Sequence, residues 1–281
     1  MTIVCAWVRA SKRGAEELIV CSDSRLSGGG TLDCSPKVFQ LPRRDAVIAF
    51  SGATYLAYPL LLQMSQAINS HGPMRDGVLD YVRLKSFLLR LLNELFGRFD
   101  TYLDAFKKPE HNFLLCGYSW FHKEFMIDRF EYNHHAKKFQ AHPVVKGIGN
   151  FGKIAFIGDV RKQANHQLIT LLRGRYGDAS VLPSSSLVKR YDMEPFEIIR
   201  DMLRRARAGD SIGGAPQLTS LCQHMISKPL GVFWPNKESN EIYVNGRPVF
   251  SFENIDSWII DPDSLKKTHK YLSRNEPAFE E

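Results

Sequence analysis

The sequence contains few cysteines and lacks the spacing of common metal sites. Five cysteines occur in 281 residues, and none of them forms a Cys-x-x-Cys pair. An odd number of scattered cysteines predicts neither a disulfide framework nor a zinc site. The chain has no HExxH motif, and its nine histidines do not combine with carboxylates at ligand spacing. We therefore predict no metal ion and no cofactor.

Long apolar runs are also missing, and none approaches the length of a membrane-spanning helix. The apolar stretch at the N-terminus ends at Val8 and is followed by Arg9, Lys12 and Arg13. This is not the pattern of a secretory signal peptide, so we expect a cytoplasmic protein that does not bind membranes. The net charge is +7. Its cations are dispersed over presumed helix faces and loops, so no nucleic-acid partner is expected.

What the sequence does contain is blocks of strands that alternate with pairs of helices. The predicted strands are 2–9, 17–22, 37–41, 46–51, 112–118, 124–130, 139–145, 218–225, 230–234 and 241–244, and the predicted helices are 54–68, 84–106, 153–173 and 194–207, with Asp192 as the cap of the last. This order favours an α+β fold in which two antiparallel sheets stack with helices outside them, a four-layer αββα sandwich. We expect one domain over residues 1–260 and a polar C-terminal tail, 261–281, with a possible short helix.

The N-terminus carries a potential nucleophile. Thr2 directly follows the initiator methionine and begins an apolar strand. Removal of Met1 would leave a free α-amine and a hydroxyl on one residue, the arrangement of an N-terminal threonine nucleophile. Many chains begin Met-Thr, so the case depends on the residues that follow.

Three further residues could complete such a site. Asp23 follows the second strand, Lys37 starts the third, and Gly52 lies in a turn between a strand and a helix. A charged Lys37 would favour the threonine alkoxide, Asp23 would orient Lys37, and the Gly52 N–H could donate to an oxyanion. Arg25 would brace the loop around Asp23. Each feature has an ordinary structural explanation when taken alone, whereas all of them in this order favour a site.

With these residues in view, the chain resembles a β-type subunit of the proteasome family, within the N-terminal nucleophile hydrolases. The bacterial Anbu group is the most similar branch. The resemblance covers residues 2–60 well and continues more loosely through 147–153 and 210–216. It implies a threonine peptidase that acts on peptides or unfolded protein segments. It also implies a homo-oligomer, as a ring or open spiral, and leaves open whether an ATPase partner exists.

Two departures from the family pattern leave an alternative open. Active peptidases of the family hold the N-terminal amine with a serine in a Gly-Ser-Gly turn, and Ile148 corresponds to that serine here. They also use an Asp and a Ser before a Gly-Gly pair. Here Ile212 stands at the serine position, and Asp210 and Ser211 come into register only after a shift by one residue. These departures favour the alternative of a catalytically inactive, proteasome-like assembly or scaffold protein. A further option, an N-terminal-threonine amidase for small molecules, would share all the chemistry of the peptidase.

Residues 147–152 also match the pattern GxGxxG, which binds dinucleotides when it lies between a strand and a helix. The preceding strands have an antiparallel pattern, and no acidic residue ends a second strand about twenty residues further on. We therefore interpret this segment as a turn.

Overall fold

The computed structural model describes residues 2–10, 16–27, 30–98, 111–178 and 189–269. The first block of strands comprises β1 (Ile3–Ala10), β2 (Glu16–Ser22), β3 (Leu26–Ser27), β4 (Thr31–Leu32), β5 (Val38–Gln40) and β6 (Ala46–Ser51). The helices α1 (Thr54–Asn69), α2 (Gly72–Arg75) and α3 (Tyr81–Phe96) follow. The second block comprises β7 (Asn112–Ser119), β8 (Glu124–Asn133), β9 (Lys138–Pro143) and β10 (Ile154–Gly158), before α4 (Arg161–Tyr176) and α5 (Glu194–Arg205). The last strands are β11 (Gln217–Cys222), β12 (Ile226–Phe233), β13 (Ile242–Val244), β14 (Arg247–Pro248), β15 (Trp258–Ile260) and β16 (Lys267–His269).

The described residues form a mixed α/β structure with large antiparallel sheets. One sheet has the order β10-β1-β2-β11-β12-β13-β14, and β15 and β16 join it beside β12. The other has the order β5-β6-β7-β8-β9. Of the described pairings, that of β12 with β15 is parallel. The predicted alternation of strand blocks and helices is confirmed.

Strand β1 shows why the N-terminal run is apolar throughout. Successive side chains of a strand point to opposite faces. Ile3, Cys5 and Trp7 pack in a core with residues of α4 and α5. Val4 and Ala6 pack in another core with side chains of the second sheet. Both faces of β1 are therefore covered, and a polar side chain on either face would lose its contact with water.

Helix α3 begins earlier and ends earlier than its sequence pattern predicts. Asp80 caps its N-terminus by accepting a hydrogen bond from the Val82 N–H at 3.2 Å. The helix ends at Phe96, and Gly97 is its C-cap residue, so the prediction of a helix to residue 106 is wrong at residues 97–98. The rest of the predicted helix, residues 99–106, lies outside the described residues. The buried stripe Tyr81, Leu84, Leu88 and Leu92 packs on the second sheet.

The prediction of a helix over 153–173 is wrong in its first part. Residues Ile154–Gly158 form β10, which pairs with β1, and α4 starts only at Arg161. The run Ile-Ala-Phe-Ile is buried at the edge of the large sheet, where β-branched and aromatic side chains favour a strand. As a result, the turn between β10 and α4 lies next to Thr2.

Two smaller predictions also change. Asp192 does not cap α5: the N-cap residue is Met193, and the Asp192 carboxylate accepts a hydrogen bond from Arg9 Nε at 2.6 Å. In the tail, residues 261–269 form a turn followed by β16 rather than a short helix. The polar segment 270–281 lies outside the described residues. None of the described helices is long and apolar enough to cross a membrane.

Candidate active site

The Asp23 carboxylate is the centre of a buried hydrogen-bond network just after β2. It accepts hydrogen bonds from the backbone N–H groups of Ile3, Arg25 and Gly213 at 3.1, 3.2 and 3.3 Å. Lys37 Nζ donates to both of its oxygens at 2.9 Å. A carboxylate that is shielded from water requires such partners. Asp23 therefore ties together the starts of β1 and β5 and the segment before β11.

Lys37 is fixed as firmly as Asp23, and the side chains of both residues are 0% exposed. The Lys37 backbone N–H donates to Gln217 Oε1 at 2.9 Å, which fixes the chain at the start of β5. Burial lowers the pKa of Lys37, and the Asp23 and Asp159 carboxylates oppose this effect. Burial likewise raises the pKa of Asp23, against the ion pair with Lys37. The two hydrogen bonds from Lys37 Nζ to the Asp23 carboxylate favour the charged forms of both groups and so oppose the effect of burial.

Thr2 lies between two carboxylates. Its backbone N–H donates to Asp159 Oδ2 at 2.7 Å, while the N–H of the next residue, Ile3, donates to Asp23 Oδ1. The Asp159 N–H in turn donates to the Thr2 carbonyl at 3.0 Å. Thr2 itself is 1% exposed. The predicted residues Thr2, Asp23 and Lys37 are thus brought together, although they flank three different strands, β1, β2 and β5.

Asp159 is a residue of this site that the sequence analysis missed. It follows Gly158, which pairs with Ile3 at the end of β10. Gly158 has a φ of +105°, and a Cβ there would lie 2.0 Å from the Thr2 carbonyl oxygen. Only glycine allows the chain to approach Thr2 this closely. A Gly-Asp pair between an apolar run and a helix was the available signal, and the incorrect helix over 153–173 obscured it.

The structure therefore corrects the assignment of Ile148. The side chain that contacts the Thr2 nitrogen belongs to Asp159, in the turn between β10 and α4. The Ile148 N–H donates to the Tyr191 hydroxyl at 3.0 Å, and its side chain packs against the core beneath α4 and α5. The acidic side chain of Asp159, and not the side chain of Ile148, therefore accepts a hydrogen bond from the Thr2 nitrogen.

Arg25 braces the loop around Asp23 through its guanidinium group. It forms an ion pair with Asp33 at 2.7 Å and donates to the carbonyls of Arg207 and Ile212 at 2.6 and 3.3 Å. A Cβ at Gly213 would lie 2.3 Å from the Arg25 guanidinium carbon. Because the segment before β11 wraps so closely around Arg25, the Gly213 N–H reaches Asp23.

Asp210 and Ser211 belong to this same segment but face elsewhere. The Asp210 carboxylate accepts a hydrogen bond from the Arg207 N–H at 2.7 Å and closes its own turn. Both residues border a cavity of about 430 Å³ between α4 and α5. Ile212 is 6% exposed and packs in the core of the large sheet. The described contacts of Asp210 thus shape the loop that carries Gly213.

Gly52 lies at the end of β6 with a φ of +115°, a conformation that disfavours other residues. Together with Gly158 and Asp159, it lines a cavity of about 500 Å³. Ser51, next to it, is 2% exposed and lines the same cavity. Gly52, the predicted oxyanion donor, and Asp159 therefore line the same cavity, which lies beside Thr2.

Two formal motifs lie in structural contexts that do not suit them. The GxGxxG segment, 147–152, precedes strand β10 rather than a helix, and a Cβ at Gly147 would lie 1.8 Å from the Gly152 carbonyl oxygen. Residues 209–213 fit the pattern GxSxG, but they connect helix α5 to strand β11. A nucleophile elbow requires the opposite order, strand then helix. Both segments are interpreted as turns.

No protein-family model and no curated protein matches this chain. The chemistry of the site therefore follows from its own geometry. A threonine at the start of a strand is held between Asp159 and the buried Asp23–Lys37 pair, and a cavity opens beside it. Among the described residues, no group of His, Cys, Asp or Glu side chains is arranged to hold a metal ion.

Proposed function

We propose that this protein is an N-terminal threonine hydrolase that cleaves amide bonds in peptides or unfolded protein segments. The observation that carries the proposal is the position of Thr2. Its nitrogen is 2.7 Å from the Asp159 carboxylate, and the Asp23–Lys37 pair binds the next residue's N–H. A threonine hydroxyl is a weak nucleophile and needs both a base and nearby positive charge.

In the proposed reaction, removal of Met1 converts the Thr2 amide into a free α-amine. The amine accepts the proton of the Thr2 hydroxyl, and the hydroxyl oxygen bonds to the substrate carbonyl carbon. Lys37 stabilises the developing negative charge on the hydroxyl oxygen, and the Gly52 N–H donates to the oxyanion. The amine then passes its proton to the leaving nitrogen as the carbon–nitrogen bond breaks. Water hydrolyses the resulting ester and regenerates Thr2.

The arrangement of cores supports a four-layer αββα sandwich. One core lies among side chains of the large sheet, α4 and α5, and a second lies among the other sheet, α1, α2 and α3. A third core combines side chains from both sheets. A core between the two sheets, with a helix-covered core on the outer side of each, supports this proposed arrangement. The resemblance of residues 2–60 to proteasome β subunits points to the same architecture.

Asp159 bears on the alternative of an inactive scaffold. That alternative rested on Ile148 and Ile212 as residues unable to hold the N-terminal amine. The Asp159 carboxylate lies at hydrogen-bond distance from the Thr2 nitrogen and can hold an ammonium group there. The lack of a serine at positions 148 and 212 is therefore a weaker argument for an inactive scaffold. A small-molecule amidase would use the same residues, and the choice of substrate separates it from a peptidase.

Covalent labelling of Thr2 tests the proposal. We expect the intact mass to show loss of Met1, and a β-lactone or vinyl-sulfone probe to modify residue 2. Thr2→Ala should abolish labelling, whereas the matched variant Thr2→Ser keeps a hydroxyl and should retain part of it. Retention of Met1, or labelling that persists in Thr2→Ala, would contradict the assignment. An inactive scaffold would give no labelling in any variant.

We also propose that the protein forms a homo-oligomer. The apolar stripe of α3 is covered by its own sheet, so subunit contacts must use other surfaces. Leu62 on α1, which is 64% exposed, is one candidate for such contacts. Light scattering at micromolar concentration should report several times the 32.0 kDa chain mass. A monomer under these conditions would contradict the proposal.

A further inference from the structure

Two cations that form no ion pair with another described residue line the cavity beside Thr2. Arg161 and Lys162 line it together with Asp159, Glu131 and Gly52. The carboxylates have partners: Asp159 accepts a hydrogen bond from the Thr2 N–H, and Glu131 lies 3.5 Å from an Arg129 nitrogen. Neither Arg161 nor Lys162 forms an ion pair or a side-chain hydrogen bond with another described residue. Both cations are exposed.

The backbone adds to this charge. Arg161 and Lys162 are the first residues of α4, a helix of 16 residues. Its N-cap residue, Val160, provides no side-chain cap, and its first turn contains no acidic residue. The N–H groups of a first turn have no intrahelical acceptor, and the helix dipole is positive at this end. Two cations here increase a potential that already favours an anion.

Two further features of the surroundings point to an anionic ligand. Arg161 and Lys162 also border a second cavity, of about 550 Å³, whose other charged lining residues are Arg129 and Lys146. In the first cavity, the buried Ser51 hydroxyl has no hydrogen-bond partner among the described residues. A buried hydroxyl without a partner costs free energy that a bound ligand can recover.

The proposed reaction tells which part of a substrate would lie against these cations. The leaving nitrogen must receive its proton from the Thr2 amine, which Asp159 holds. Arg161 and Lys162 come directly after the turn that contains Asp159, and they line the same cavity as the proposed oxyanion donor Gly52. The leaving-group side of the substrate therefore extends toward α4.

We infer that this cavity recognises a carboxylate on the leaving-group side of a peptide substrate, and that Arg161 and Lys162 bind it. The carboxylate comes either from an acidic side chain or from a free C-terminus. This inference rests on the proposed function for its direction along the substrate. The anion site itself can be tested by binding alone.

Fluorescence anisotropy with the Thr2→Ala variant provides that test without turnover. The probes are three N-terminally labelled hexapeptides of matched sequence: one with an aspartate and a C-terminal amide, one neutral with a free C-terminus, and one neutral with an amide. We expect at least one carboxylate peptide to bind about three- to tenfold more tightly than the neutral amide. The difference should shrink as salt is raised, since exposed charges are screened.

Charge-matched variants complete the experiment. In the Thr2→Ala background, Arg161→Gln/Lys162→Gln should abolish the preference. Arg83→Gln/Arg90→Gln removes two exposed cations of α3 that do not line the cavity, and should preserve it. Equal affinity for all three peptides, no binding at all, or a preference that survives Arg161→Gln/Lys162→Gln would overturn the inference. Probe labelling of Thr2 reports on the proposed function separately, so either idea can fail alone.

Discussion

Two buried ion pairs of this protein have similar burial but different surroundings. Asp23 and Lys37 are 0% exposed, and Arg43 and Asp45 are each 3% exposed. Arg43 forms two hydrogen bonds with the Asp45 carboxylate at 2.5 Å. Its remaining N–H groups donate to the carbonyls of Met74 and Leu79 at 3.1 and 3.0 Å. This second pair fastens the turn between β5 and β6 to helix α2 and the loop after it.

The difference shows that burial of charge alone does not identify an active site. The Arg43–Asp45 pair borders a cavity of about 840 Å³, larger than the cavity of about 500 Å³ beside Thr2, yet its described hydrogen bonds hold the surrounding backbone. The Asp23–Lys37 pair borders a threonine at the start of the chain. A nucleophile within reach, rather than the size of a cavity or the strength of an ion pair, distinguishes the catalytic candidate.

The largest expected effect is that of removing Lys37. Lys37→Ala should lower turnover, or the rate of Thr2 labelling, by about a hundred- to a thousandfold. Asp23 would remain buried and unpaired, so we expect a loss of about 3–5 kcal/mol in the free energy of unfolding.

A paired variant separates these two effects. Asp23→Asn/Lys37→Met removes both charges and should recover much of the stability in urea unfolding while leaving turnover low. Turnover in this variant within tenfold of the wild type would show that the pair is structural, like Arg43–Asp45.

Breaking the Arg43–Asp45 pair should reduce the stability of the protein without reducing its activity. Arg43→Met leaves Asp45 buried without its partner and should reduce the free energy of unfolding by about 3–5 kcal/mol. Thr2 labelling, measured at a temperature where the variant is folded, should stay within twofold of the wild type because Arg43 has no contact with the site. A hundredfold loss of labelling in the folded variant would remove the distinction between the two pairs.

A smaller effect is expected at Asp159, which contacts the Thr2 nitrogen. A nearby carboxylate favours the protonated amine and so raises its pKa. The general base must be neutral, so activity is lost as the pH falls through that pKa. Asp159→Asn should lower the amine pKa and should therefore move the acid limb of kcat/KM to lower pH. An unchanged limb would exclude this role, and Asp192→Asn serves as a control.

The smallest expected effect is the chemical modification of the buried cysteines. Burial raises the pKa of Cys5, Cys21 and Cys116 well above its usual range. Cys34 and Cys222 are partly exposed. Iodoacetamide at pH 8 should therefore modify at most these two in the folded protein. Peptide mapping that finds Cys5 modified would show that thiol chemistry can compete with Thr2 in the labelling experiment.

Much of the secondary structure was predictable because its signals are local. The apolar run of β1 and the three- and four-residue spacing in α3 identify those elements without any distant contact. The errors occurred where two elements adjoin: β10 and the start of α4 were merged into one helix. A short apolar run such as residues 154–157 does not by itself show whether the segment is a strand or the start of a helix.

Local patterns also led from sequence to Thr2, Asp23 and Lys37, because the chemistry of an N-terminal nucleophile requires these residue types. Folding alone brings Asp159 to the Thr2 nitrogen, across 157 positions of the chain, and Gly213 to Asp23, across 190. Such contacts depend on the register of β10 beside β1 and of β11 beside β2. Register is a property of paired strands, so no single stretch of sequence contains it.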